Sequence, residues 1–356
     1  MDFCYMFPVV KGLQARREYY IAMVPMKMLS KIFTVDDEYV LPEFRAQRKL
    51  NQSRIPEISR YIIENRDDYV FSALSASIDG KIEYQPSTDN VNIGMLKVDM
   101  NSRFLINDGQ HRFAAIRQAL MDDNSLEDET ISIVFFEDKG LERSQQIFTD
   151  LNKHAVKTSN SISELYDSRD ALAVTTRRVI SKISFLNKYT DKERDILGKY
   201  SSNLFTLNTF YNANKRIVGK VNLSKEEESF LLNFWTKVVE NISQWQEMDN
   251  KLISKVELRE TYIITQAVVI QAIARVGNCF YRDSKLGMNE ILKLLGNIDW
   301  RRNAECWKLR TIRDNGRMIN SEKAILLTAN VIKTALGLSL TKEEQDKEKK
   351  FSFLRK

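Results

Sequence analysis

Residues 103–117 read RFLINDGQHRFAAIR, and this stretch decides how the first half of the chain is organised. Phe104, Leu105 and Ile106 form an apolar run, Asp108-Gly109 is a turn signal, and a small-residue helical pattern follows over residues 111–121. The pattern predicts a strand, a tight turn and a helix in immediate succession. Gly109, lacking a Cβ, permits the turn and a close backbone approach. The helix after it offers unpaired N–H groups and the positive end of its dipole, which together favour an anion. Arg112 adds a planar, permanently charged donor suited to phosphate, and Ala114 and Ala115 let the helix lie close to a sheet. A simple surface turn with solvated His111 and Arg112 explains the same letters, because one glycine turn is a weak signal. The chain contains no GxxxxGK[ST] and no GxGxxG, which disfavours a P-loop or dinucleotide-binding site.

Strand and helix patterns alternate on either side of this segment. Residues 19–25, 69–78, 92–99 and 131–136 read as strands; 53–65 and 141–151 read as helices. In 53–65, Ile55, Ile58 and Ile62 recur at helical spacing, with Pro56 in the first turn, where its missing N–H is harmless. From about residue 160 the periodicity is helical throughout. Ser224-x-x-Glu227 and Thr341-x-x-Glu344 are capping-box candidates. Trp235, Trp245, Trp300 and Trp307 are expected to pack between helices. The charged run 342–350 is expected to be a solvated or frayed helix. The expected class is therefore α+β, with an α+β domain over residues 1–160 and a mainly helical domain over 161–356.

Composition excludes several functions. The 356 residues carry 54 Lys+Arg against 48 Asp+Glu, a net charge of +6, which permits nucleic-acid contact without requiring it. Three cysteines (Cys4, Cys279, Cys306) and two histidines (His111, His154) lie at spacings unlike a zinc site and are read as reduced thiols and isolated imidazoles. The start, MDFCYMFPVVKG, lacks the basic and apolar blocks of a signal peptide. The longest uncharged apolar stretch, 261–274, is too short to span a bilayer. A cytoplasmic protein with no membrane partner is expected.

Asp108–Arg112 matches the five-residue motif of the DGQHR-domain proteins. Arg48-x-x-Asn51-x-x-Arg54 with Phe71-x-Ala73-Leu74 resembles that family's upstream block, and Gln145-x-x-Phe148-x-Asp150-Leu151-Asn152-Lys153 its downstream block. Ile298-Asp299-Trp300, Trp307, Gly316 and Ile332-Lys333 resemble the DndB-like branch, associated with bacterial DNA phosphorothioation. The resemblance implies a ParB/sulfiredoxin-like nucleotide-binding fold and a regulator that represses the modification genes by binding double-stranded promoter DNA. It implies ATP with Mg²⁺ as ligand, a slow ATPase activity in a regulatory role, and other DNA sulfur-modification proteins as partners. Two-fold operators would favour a homo-oligomer, although no heptad seam is visible.

On that basis Arg54, Gly109, Gln110, Arg112 and Asn152 are candidate nucleotide ligands. Asp108 is a candidate catalytic and Mg²⁺-binding carboxylate, with an Asx turn as the competing role. His111, which titrates near neutrality, is a candidate proton carrier, with a plain phosphate hydrogen bond as the competing role. Asn152 is as well explained by a helix C-cap and Arg54 by a solvated first turn. For DNA the strongest stretch is 300–317, where Arg301, Arg302, Lys308, Arg310, Arg313 and Arg317 outnumber Glu305 and Asp314. Lys215 and Arg216 form a second candidate. The competing explanation is a solvated basic face around core tryptophans. Two other functions remain open from sequence: an NTPase component of a modification or restriction system, stimulated by DNA, and a scaffold acting through the helical half.

Overall fold

The computed structural model describes residues 3–33, 51–137, 146–151 and 158–354. The chain divides into two compact units, Met1–Val156 and Lys157–Lys356. The first is built on a mixed seven-stranded sheet and the second is mainly helical. The architecture is thus a mixture of α and β, as the alternating patterns predict.

In the first unit the strands are β1 (Cys4–Gln14), β2 (Arg17–Pro25), β3 (Leu74–Asp79), β4 (Ile82–Pro86), β5 (Ile93–Asp99), β6 (Arg103–Asp108) and β7 (Thr130–Glu137). Their order is β4-β5-β1-β2-β7-β3-β6, and every neighbouring pair is antiparallel except β3 with β7. The helices α1 (Met26–Ile32), α2 (Ile55–Glu64) and α3 (Gln110–Asp122) accompany the sheet, and residues 146–151 are helical as well. Along β2, Tyr20, Ala22 and Val24 are buried while Tyr19, Ile21 and Met23 are not, the alternation of a sheet with one covered face. Phe104 and Ile106 of β6, Leu74, Ala76 and Ile78 of β3, and Phe113 and Ile116 of α3 share one apolar core. Phe104 meets Phe7, Phe33 and Phe135 at ring separations of 5.8–6.3 Å. Sequence reading starts the strand before the Asp79-Gly80 turn at residue 69; the structure begins β3 at Leu74.

In the second unit the helix Ala267–Arg282 has ten buried residues, eight of them in the apolar core. Ser224 caps the helix Lys225–Asn241 in a full capping box with Glu227. All four tryptophans are fully buried. Trp300 and Trp307 stack at 5.5 Å and 8°, and the Trp235 indole donates to Asn214. The charged run 342–350 is a helix and largely exposed, as expected, with Glu344 as its buried exception. Lys342–Leu354 is a helix whose Glu344 is only 2% exposed and binds buried Lys333 at 2.7 Å, while Phe351 packs against Leu326 and Leu327. The partner of Glu344 lies eleven residues upstream, and a local reading of the charge run does not see it.

Among the described residues no helix is long and apolar enough to cross a membrane. Cys4, Cys279 and Cys306 are unpaired. Among the described residues no group of three or more His, Cys, Asp or Glu is arranged to hold a metal ion.

Candidate nucleotide and DNA sites

The strand–turn–helix predicted from residues 103–117 is present: β6 ends at Asp108, Gly109 turns, and α3 begins at Gln110. Gly109 has φ 101°, where a side chain is disfavoured, and a Cβ there would lie 2.3 Å from Leu74 Cδ2. Two independent constraints therefore require glycine. Gly109 is the N-cap of α3, and no side chain caps the helix. The Phe113 N–H closes the first turn onto the Gly109 carbonyl, so the amides of Gln110, His111 and Arg112 precede the first intrahelical donor. Ala115 is fully buried, which lets α3 sit close to its neighbours.

Arg112 does not reach outward. Its Nη1 donates to the Ser72 carbonyl (2.6 Å), Ser72 Oγ (2.5 Å) and the Ala73 carbonyl (2.9 Å), while Nη2 binds Asp108 Oδ2 at 2.5 Å. This guanidinium ties the segment entering β3 to the turn leaving β6. Its geometry is that of a positioning residue, holding the two ends of the β3–β6 pair together. Asp108 spends one carboxylate oxygen on that contact, and its side chain remains 45% exposed.

His111 Nε2 accepts the Asn51 backbone N–H at 3.0 Å. That bond requires Nε2 to be unprotonated and leaves the proton on Nδ1. Burial lowers the His111 pKa from its ordinary value, and the nearby Arg54 charge lowers it further. Both effects favour the neutral ring. Arg54 closes a short 3₁₀ turn, Gln52–Arg54, that Asn51 caps through Ser53. Its side chain is exposed and has no hydrogen-bond or ion-pair partner among the described residues. The structure therefore brings Arg54, Asp108, Gly109, Gln110, His111 and Arg112 to one place. Asn152 and His154 lie outside the described residues. Sequence reading missed Ser72, whose carbonyl and hydroxyl both hold Arg112; no local pattern marks it.

The basic candidates of the second unit separate into three groups. Arg302, Arg310 and Arg216 are committed to the fold. Arg302 donates to the carbonyls of Glu260, Gly316 and Arg259, and its burial lowers its pKa. Arg310 binds Glu348 at 2.6 Å and covers the Phe351 ring. Arg216 grips Glu322 through both terminal nitrogens and donates Nε to Gln271. Arg301 and Lys308 sit in exposed pairs with Asp299 and Glu305. Arg313, Arg317 and Lys215 are exposed and have no side-chain partner among the described residues. Arg313 and Arg317 flank a tight turn: the Arg313 N–H meets the Arg317 carbonyl at 2.8 Å, and Gly316 sits at φ 76°.

A family model described as DndB, DNA-sulfur modification-associated, matches residues 7–339. No curated protein and no solved structure matches the chain. The match covers both compact units and includes the Asp108–Arg112 turn and the Arg301–Arg317 segment. The chain belongs to the DndB family of proteins associated with DNA sulfur modification.

Proposed function

We propose that this protein regulates DNA sulfur-modification genes by binding their promoter DNA, with an affinity that ATP changes by binding at the Asp108–Arg112 turn. The observation that carries this reading is the uncapped start of α3 beside an unpaired cation. The first amides of α3 and the Arg54 guanidinium are the donors a polyphosphate needs. The neutral His111 offers Nδ1–H as a further donor. Gln110 supplies a neutral amide. In this role the first unit is a ParB/sulfiredoxin-like nucleotide domain, over about residues 1–160, and residues 161–356 carry the DNA contacts.

The donor set suits ATP with Mg²⁺. Asp108 keeps one carboxylate oxygen outside its pair with Arg112, and Mg²⁺ is commonly held by one or two carboxylates together with phosphates. Bound ATP would supply a phosphoanhydride whose slow hydrolysis resets the regulator. The chain's own part is to neutralise phosphate charge with the α3 amides and Arg54, and to hold the turn in place through Arg112. A protonated imidazolium is disfavoured at His111, so hydrogen bonding to phosphate suits it better than giving up a second proton.

On DNA, Arg313, Arg317 and Lys215 make salt-sensitive phosphate contacts, and Arg301 and Lys308 exchange exposed carboxylate partners for phosphates. ATP controls affinity only to the extent that it binds the two DNA-affinity states differently. Calorimetric titration of ATP–Mg²⁺ tests the nucleotide half. Arg54→Ala is expected to weaken binding roughly tenfold, the worth of one charge-assisted contact, with unchanged melting temperature. Equal ATP affinity in wild type and variant contradicts the site.

A further inference from the structure

The β1–β2 hairpin outruns the sheet that holds it. β5 accompanies β1 only as far as Val10, and β7 accompanies β2 only to Tyr19. Beyond the Gly12–Tyr19 rung, Leu13 pairs with Glu18 and Gln14 with Arg17, and Ala15 and Arg16 form the turn. Residues 13–18 are all exposed. From Gly12 to the turn the two-stranded ribbon is about 10 Å long, at about 3.4 Å per residue.

The ribbon is braced on both faces. On one, the Tyr19 ring occupies the space that a side chain on Gly12 would fill and packs 6.1 Å from Phe136, ring to ring. On the other, Lys11 binds Glu18 at 2.9 Å, and Glu18 accepts from the Tyr20 hydroxyl at 2.8 Å. Those contacts occupy Lys11 and Glu18. Arg16 and Arg17 have no hydrogen-bond or ion-pair partner among the described residues. The turn itself is strained: Ala15 and Arg16 have φ of 51° and 63°. A two-residue turn with both residues left-handed is ordinarily filled by Asn-Gly or Gly-Gly, because a Cβ is crowded there. Strained backbone that presents unpaired cations is a feature of binding elements more than of plain connections.

We propose that this ribbon is an arm that enters the major groove of duplex DNA, with Arg16 at the base edges and Arg17 on a phosphate at the rim. The dimensions select that groove. Two strands about 4.8 Å apart, with their side chains, fit a groove about 12 Å wide and about 8.5 Å deep, and overfill one about 6 Å wide. Near the tip, Leu13 is 71% exposed and offers an apolar contact to a thymine methyl. The cleft of 810 Å³ beside the ribbon is not the DNA seat: Glu18, Glu137 and Asp150 line it along with the two arginines, and carboxylates repel phosphate. Contact therefore falls to the tip. The inference rests on the DNA-binding half of the proposed function, to which it adds a contact from the first unit, and is independent of ATP.

The full chain, without nucleotide, is titrated with a labelled promoter duplex. The complex is then probed with dimethyl sulfate, which methylates guanine N7 in the major groove and adenine N3 in the minor groove. Ala15→Asn/Arg16→Gly installs the residues this turn prefers while removing the tip cation, so its melting temperature should hold or rise. Wild type is expected to protect guanine N7. The tip variant should lose that protection and bind roughly tenfold more weakly, the worth of one bidentate base contact. Arg17→Ser should keep the protection pattern and flatten the salt dependence by about 0.9 in log–log slope, the signature of one lost phosphate contact. Wild-type affinity and pattern in the tip variant overturn the arm while leaving promoter binding intact, as does protection confined to adenine N3. Failure of the wild type to bind the duplex overturns the arm together with the DNA-binding reading.

Discussion

Arg112 is the residue whose loss separates positioning from ligand contact most sharply. Its guanidinium makes four hydrogen bonds, two to backbone carbonyls, one to the Ser72 hydroxyl and one to Asp108. The side chain is 18% exposed, so most of these bonds are shielded from water. Charge-assisted hydrogen bonds contribute roughly 1.5–3 kcal/mol each. Water reaches the freed carbonyls in part, and the Asp108 end is too exposed to add more than about 1 kcal/mol. Arg112→Ala should therefore cost about 2–4 kcal/mol. For a unit of this size that is a drop of roughly 4–16 °C in melting temperature. Arg112→Lys keeps the charge but not the planar fork, and should fall between. Differential scanning calorimetry of the full chain gives the numbers. If Arg112→Ala melts within about 1 °C of wild type, the guanidinium does not hold β3 to the turn, and the positioning role is wrong.

Four further outcomes follow from the second unit. Burial and the charges of Asp195 and Asp170 push the Glu164 pKa up to about 8, so its ionisation destabilises the fold as pH rises from its ordinary value of 4.5 toward 8. Glu164→Gln should raise stability at pH 9 by about 1–2 kcal/mol, a figure reduced for its half-buried setting, and should change nothing at pH 4; an equal effect at both pH values contradicts this. The buried Lys333–Glu344 pair predicts that Lys333→Met alone costs about 3–5 kcal/mol, while Lys333→Met with Glu344→Met recovers most of the loss; additive losses in denaturant melts would count against it. Arg302→Ala should lower the melting temperature, because three backbone carbonyls lose their donor. Arg313→Ala/Arg317→Ala should leave it unchanged and reduce the salt slope of duplex-DNA binding by about 1.8.

The strand, turn and helix of residues 103–117 were legible because their determinants are local: an apolar run, a glycine and a helical spacing. So were α2, with Pro56 in its first turn, and the capping box at Ser224. β1 was not, because Met6 and Val10 are apolar yet half-exposed while Phe7 and Val9 are buried, so the alternation that marks a strand is missing. The site shows the same division. That Asp108 to Arg112 form a turn with chemistry in it can be read from five letters. That Arg112 faces inward cannot, since its acceptors Ser72 and Ala73 lie about forty residues upstream. The basic segment is similar: Arg302 and Arg313 look alike in sequence, and only the carbonyls of Arg259, Glu260 and Gly316 distinguish a structural arginine from an available one.

On the proposed function, nucleotide at the Asp108–Arg112 turn changes affinity for promoter DNA. The direct test is fluorescence anisotropy of a labelled promoter duplex, with no nucleotide, with ATP–Mg²⁺ and with a non-hydrolysable analogue, for wild type and Arg54→Ala. The expected result is an analogue-dependent shift in wild-type affinity that Arg54→Ala removes without changing nucleotide-free DNA binding. DNA affinity indifferent to nucleotide in wild type, or a shift that survives intact in Arg54→Ala, would contradict it.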